Sequence, residues 1–169
     1  QTAMELLQVD AFVISERALR EGLIIDWMLR QGLIVDRFSY QSEIRRRTVL
    51  HQAHKFGVPI VRAERVAGYA TSLFDQTSGS FHQEDESARQ LLWAAALLHS
   101  CGLHINTSGY HKHSWYLINN GELLGYNHDE QLVIASLARY HRRSLPKKRH
   151  ESWLLLDRDQ RRVVERLSL

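Results

Sequence analysis

The stretch from Leu91 to Ile105, LLWAAALLHSCGLHI, constrains the fold of this chain more than any other. It is apolar nearly all round, and a helix without a polar face has to be enclosed by other elements. It is also shorter than the roughly 20 residues that span a bilayer. The pattern therefore predicts a central helix of a globular bundle, from about Glu86 to Ser100, broken by Cys101-Gly102. The helix ends in His99-Ser100. An imidazole beside a carboxylate can hold a hard divalent cation, whereas a serine hydroxyl is a neutral and poor ligand.

Helical periodicity continues along most of the chain. Ser15 is placed to cap a helix running to about Leu29, with Glu16 in its first turn and Gln31-Gly32 as its stop. A second helix is expected from about Ser42 to Phe56, ended by Gly57. A third, from about Pro59 to Phe74, puts Ala63, Val66, Ala67, Ala70, Leu73 and Phe74 on one core-facing stripe. After a loop over Thr77 to Phe81 comes the apolar helix. Beyond it, Ser108 is expected to cap a short helix from Tyr110 to Asn119, closed by an Asn-Asn-Gly turn. Two more helices are expected, from about Asp129 to Tyr140 and from about Asp157 to Leu167. The basic stretch from His141 to His150 lies between them as a loop. Only Ala11 to Ile14 suggests a strand, and no internal repeat is visible. The fold class is all-α, a multi-helix bundle.

Composition agrees with that class. At 169 residues the chain can bury a core without staples, and its two prolines and nine glycines rule out a low-complexity segment. Cys101 is the only cysteine, which excludes an internal disulfide and a cysteine-rich zinc site. A reducing, cytoplasmic location is expected, with no membrane span and no signal peptide. The formal net charge is only +3, but ten histidines and several Arg/Lys clusters make the surface locally basic. That suits a modest affinity for anions without pointing to nucleic acid.

Histidines pose the chemical question. His99, His111, His113 and His141 fall at or near predicted helix ends, where a bundle can converge them. His111 and His113 cannot share one helical face, since residues two apart diverge by about 200°. Taken singly, each of these histidines is best explained as a hydrogen-bonded structural residue. No acidic ligand lies within the same motifs, and Asp129-Glu130 is explained by the dipole of the helix it opens.

Four blocks in order carry a family resemblance: AERVAGYATSLFDQT from Ala63, LLWAAALLHSCGLHI from Leu91, SGYHKHSWYLINN from Ser108, and IASLARYHRRSLP from Ile134. Together they resemble the C-terminal helical domain of the Ppx/GppA family of exopolyphosphatases and guanosine pentaphosphate phosphohydrolases. The HKHS and RYHR elements are the most specific. Ile14 to Met28 is similar to the segment where that family leaves its actin-like catalytic half. The resemblance implies a connecting segment over residues 1–38 and a helical domain over residues 39–169. That domain would resemble the HD-domain fold with a decayed metal site. Arg62 stands where HD enzymes offer a first histidine, before an Ala-x-x-Val-Ala pattern. His99-Ser100 stands where they offer His-Asp.

Several expectations follow from the resemblance. The phosphate-binding loops and catalytic carboxylate belong to the family's actin-like half, so no catalytic residue and no cofactor is expected in this chain. A divalent cation such as Mg is expected for that other half. The present domain would help hold inorganic polyphosphate or guanosine pentaphosphate, through Arg47, Arg62, Arg65, Arg139, His141 and Arg142. Arginine suits the task because its planar fork grips phosphate oxygens in pairs. Arg45-Arg46-Arg47 diverge by about 100° per residue, so at most one or two can face a given groove. Lys147-Lys148-Arg149 forms a looser patch in a loop. Trp27, Trp93, Trp115 and Trp153 are expected in the core or at an interface.

Two other functional classes remain open at this point. His99, His111, His113 and His141 could still gather Zn, Mn or Fe as a reduced HD-type phosphohydrolase. Alternatively the domain could be a docking or dimerisation module, with Leu23, Ile24, Ile25, Trp27 and Met28 as its apolar patch. A homodimer is the expected assembly, with the actin-like domain as the other partner.

Overall fold

The computed structural model describes residues 37–142 and 150–168, together with Leu23, Ile24, Trp27, Met28, Gln31, Pro146 and Lys147. Of the expected helix capped by Ser15, only Leu23, Ile24, Trp27 and Met28 are described, and all four are helical. Ser15 itself, Ile25 of the expected apolar patch, the expected strand at Ala11 to Ile14, and the Lys148-Arg149 pair lie outside the described residues. The chain divides into two compact units, residues 1–40 and 41–169. In the first, Leu23, Ile24 and Trp27 are exposed to solvent.

The second unit is all helical among its described residues. Its elements are α1 (Arg37–Lys55), α2 (Ile60–Thr77), α3 (Glu86–Leu98), a 3-10 turn (Cys101–His104), α4 (Tyr110–Asn119), α5 (His128–Tyr140), α6 (Glu151–Leu154) and α7 (Arg158–Leu167). The all-α class is therefore correct. No described helix is long and apolar enough to cross a membrane. The nearest thing to sheet pairing is one isolated bridge between Ser78 and His82.

α3 packs against α2 and α5, and α5 also packs against α4 and α7. The apolar helix is a core element, burying Ala88, Leu91, Ala94, Ala95, Leu97 and Leu98. α5 is enclosed still further, with every residue from Leu132 to Ala138 buried. Its start is fixed by a capping box. Asn127 accepts from the Glu130 amide, and the Glu130 carboxylate accepts from the Asn127 amide. α7 is capped the same way by Asp157 and Gln160.

Local departures from the sequence pattern have identifiable causes. α2 buries Ala63, Ala67, Thr71 and Phe74, but Leu73 is 61% exposed and leaves the predicted stripe. Thr71 takes an inward place because its hydroxyl bonds back to the Ala67 carbonyl at 3.0 Å. The cap of α4 is Gly109 at φ 69°, not Ser108. Ser108 instead donates its amide to the Asn106 side chain in a local turn. The short helix α6 follows the expected His141–His150 loop, in a stretch for which the sequence pattern predicted no element, and Arg161 closes its end by donating to the Trp153 carbonyl.

Two polar seams lock the bundle. At one, the Gln131 amide donates to the Ile118 and Gly121 carbonyl oxygens at 2.7 and 2.6 Å, satisfying the end of α4 from α5. At the other, the fully buried Ser114 hydroxyl accepts from the Gly102 amide at 2.9 Å and donates to the His99 carbonyl at 2.8 Å. This second seam ties the end of α3 to α4. Gly102 is needed there, because a Cβ would collide with the Tyr110 carbonyl oxygen and the Ser114 backbone.

Candidate functional site

The end of α3, the start of α4 and the end of α5 converge on a cavity of about 350 Å³. His99, Tyr110, His141 and Arg142 supply its polar groups, while Val66, Ala70, Leu92, Ala95 and Leu137 supply apolar wall. The end of α7 completes it with Leu167 and Ser168.

Backbone geometry sets the chemistry of the two imidazoles. His99 and His141 are each the residue after the last turn of a helix, and each hydrogen-bonds back to the carbonyl three residues earlier. The Nδ1 atoms lie 2.6 Å from the Ala96 oxygen and 2.7 Å from the Ala138 oxygen. A carbonyl can only accept, so both Nδ1 atoms carry hydrogen and both Nε2 atoms present lone pairs. His141 Nε2 takes the Tyr110 hydroxyl, at 3.2 Å. His99 Nε2 has no hydrogen-bond partner among the described residues. The two rings meet edge to face with centroids 5.1 Å apart.

Electrostatics keeps this pair neutral. Burial pushes the pKa of His99 down, the Ala96 hydrogen bond opposes that, and the Arg62 charge adds to the depression. His141 is likewise lowered by burial first, against its bond to Ala138, with His99 and Arg142 contributing. His111, one residue beyond Tyr110, is pushed down to about 4 by burial and by Arg139, Arg142, His141 and Lys112. Its Nδ1 is buried without a hydrogen-bond partner. Cationic groups and neutral imidazoles therefore share this end of the bundle.

The named arginines separate clearly. Arg62 is exposed and acts on His99, and Arg142 is exposed with its guanidinium 5.0 Å over the Tyr110 ring. Arg139 is half-buried, packs over the Tyr140 ring and acts on His111. These three and His141 belong to one end of the domain. Arg47 is paired along its own helix with Glu43 at 3.5 Å, and neither it nor exposed Arg65 lines the cavity. Arg46 faces Glu64 and Trp93, and Arg45 is engaged elsewhere, with Glu130. Sequence reasoning passes over Tyr110 and Ser168. Tyr110 could have been flagged by its place between a helix-breaking glycine and two histidines; nothing marks Ser168.

No three His, Cys, Asp or Glu side chains among the described residues are grouped so as to hold a metal ion. His113 is half-buried on α4 and lines no part of the cavity. The donor set at His99 and His141 lacks any carboxylate, so it does not fit a hard cation such as Mg. Cys101 is buried, with its thiol pushed up to about 11 mainly by burial, and is not poised as a nucleophile.

A helical bundle with this histidine-rich seam has known relatives. Residues 44–169 match the family model "Ppx/GppA phosphatase, domain III", and the chain belongs to that family. It is 32% identical over 143 residues to a guanosine-5'-triphosphate,3'-diphosphate pyrophosphatase of Pseudoalteromonas translucida, covering 85% of this chain and 27% of the relative. Proteins of the same name from Vibrio parahaemolyticus and Pseudoalteromonas atlantica are each 33% identical over 141 residues, or 83% of this chain. They are covered over 27% and 26% of their length. The chain thus spans about a quarter of the curated relatives it matches.

Proposed function

We propose that this chain is the accessory helical domain of a Ppx/GppA-type phosphohydrolase, and that it binds a phosphate-rich polyanion for an actin-like catalytic half. Inorganic polyphosphate and guanosine pentaphosphate are the proposed ligands, the second in keeping with the names of the relatives. Hydrolysis, and the Mg ion it would use, are assigned to the catalytic half. The observation that supports this reading is the cavity itself, where exposed Arg142 lines the wall with neutral His99 and His141, and exposed Arg62, outside the lining, is near enough for its charge to act on His99. Exposed guanidinium groups at the mouth of a cavity attract anions over a Debye length of about 8–10 Å and grip phosphate oxygens at contact. The same module is proposed to dimerise, using the exposed apolar side chains of Leu23, Ile24 and Trp27.

Polyphosphate titrated into the purified chain across a salt series tests the reading. Binding should be tight at low salt and weaken log-linearly as salt rises, because phosphate contacts release counterions. Arg62→Ala should lower both the affinity and the steepness of that response. No binding at low salt, or a flat response, would overturn it. Sedimentation of the same chain tests the dimer, and a clean monomer at high concentration contradicts it.

A further inference from the structure

Among the described residues that line the cavity, His99 alone carries a basic nitrogen without a partner. Its Nδ1–H is committed to the Ala96 carbonyl at 2.6 Å, so Nε2 keeps a lone pair. His141 Nε2 accepts the Tyr110 hydroxyl instead, at 3.2 Å. Burial holds the His99 imidazole neutral, and a neutral imidazole is a nucleophile. Its bond to a backbone carbonyl makes the ring more basic and steadies the charge it gains on attack. The surroundings select the electrophile. No carboxylate lines the cavity but Arg142 does, and the charge of Arg62 reaches His99 from outside the lining. That field favours an anion. At about 350 Å³ the cavity is at the small end of ligand pockets, which excludes a bulky donor. Nor does it hold a proton for a leaving group. Carbonyls hold the Nδ1 protons of both histidines, and His141 holds the proton of Tyr110. The electrophile must be small, anionic and fitted with a leaving group that is stable as an anion. A small acyl phosphate meets all three demands.

We infer that His99 is a phosphoryl acceptor, a modification site that takes the phosphoryl group of a small acyl phosphate onto Nε2 inside the cavity. The Nε2 lone pair forms the N–P bond as the bridging P–O bond breaks, and that bond's electron pair leaves with the carboxylate. Nδ1 keeps its proton on the Ala96 carbonyl throughout, so the step requires no base. Arg142 offsets the charge on the phosphoryl oxygens. Ser168, whose hydroxyl is buried without a hydrogen-bond partner, is a spare donor in the same wall. Val66, Ala70, Leu92 and Ala95 keep away water that would hydrolyse the product. This reactivity is separate from polyanion binding, and either can fail without the other.

The test treats the purified chain with acetyl phosphate and maps the product by mass spectrometry in mild alkali. A phosphoryl group should appear on His99, labile to mild acid and stable to base, as an N–P bond is. The chain has ten histidines, and exposed His51, His54 and His104 serve as internal standards for unassisted imidazole. His99 should react about tenfold faster than any of them, less than a fully preorganised electrostatic site confers. Arg142→Ala, an exposed substitution, should slow His99 about fivefold and leave the standards unchanged. No label on His99, a rate no greater than that of the standards, or a rate untouched by Arg142→Ala overturns the inference.

Discussion

The two ends of α5 are built from similar residues and do opposite things with them. At its start, Arg45 from α1 meets Glu130 at 2.7 Å, donates to the Gly125 carbonyl at 3.0 Å and lies over the Tyr126 ring. Glu130 also closes the capping box of α5. At its other end, Arg142 stacks on Tyr110 in the open, and His99 Nε2 faces a cavity without a hydrogen-bond partner among the described residues. A cation with a carboxylate partner is architecture. A cation beside unsatisfied acceptors is available to a ligand. Position in the sequence does not separate the two kinds of arginine; what each one touches does.

That contrast is most exposed to a stability test at Arg45. Its side chain and that of Glu130 are only 15% and 18% exposed, so Arg45→Ala leaves a largely enclosed carboxylate without its partner. The expected loss is about 3 kcal/mol, given that breaking a buried ion pair costs about 3–5 and this one keeps some contact with water. Urea unfolding would measure it. A loss under about 0.5 kcal/mol would erase the distinction between the two ends.

Next in size is Ser114→Ala, at the seam that holds the cavity end together. It leaves the Gly102 amide and the His99 carbonyl without the hydroxyl that serves both. A cost of about 2 kcal/mol follows from stranding buried backbone groups. Chemical denaturation should show it as a shift in midpoint without a change in slope.

The sequence made the helices legible because hydrophobic period and capping are local. Asp129-Glu130 marks the start of α5, and Gly57 the end of α1, within a few residues. It also pointed to Arg62, Arg139, His141 and Arg142, which the bundle does gather at one end. It could not separate Arg45 from those residues, because the partner Glu130 lies 85 positions away. Leu73 was misplaced because a threonine whose hydroxyl bonds its own helix can take an inward position. Tyr110 and Ser168 went unnoticed for a related reason. Their meaning comes from His141 and from the cavity wall, which only the packing of α4 and α7 supplies.

Acid should weaken the cavity end before the other. His111 titrates near 6.5 when unfolded and at about 4 in the fold, because burial and nearby Arg139 and Arg142 oppose its charge. Between those values the unfolded chain binds more protons, so stability rises with pH across this window and falls as pH drops from about 6.5 to 4. His99 and His141, also lowered, add to the same slope. His111→Leu should flatten it, as followed by thermal melts at a series of pH values. An unchanged slope would show that His111 is not held neutral by the fold.

The smallest expected change in stability comes from Arg142→Ala. An exposed arginine over a tyrosine ring contributes about 0.5–1 kcal/mol at most, and surface substitutions usually stay within about 0.5. Arg142→Ala should therefore melt close to the unsubstituted chain. Its polyphosphate affinity should nonetheless drop severalfold at low salt, and the difference should shrink as salt screens the charge. Arg47→Ala, whose Glu43 partner lies on the same exposed helix face, is the matched control and should leave binding unchanged. If Arg47→Ala weakened binding as much as Arg142→Ala, the anion would be reading the charge of the whole surface. The end of α5 would then have no special claim. If Arg142→Ala alone weakened it, the two ends of one helix would be divided between folding and binding.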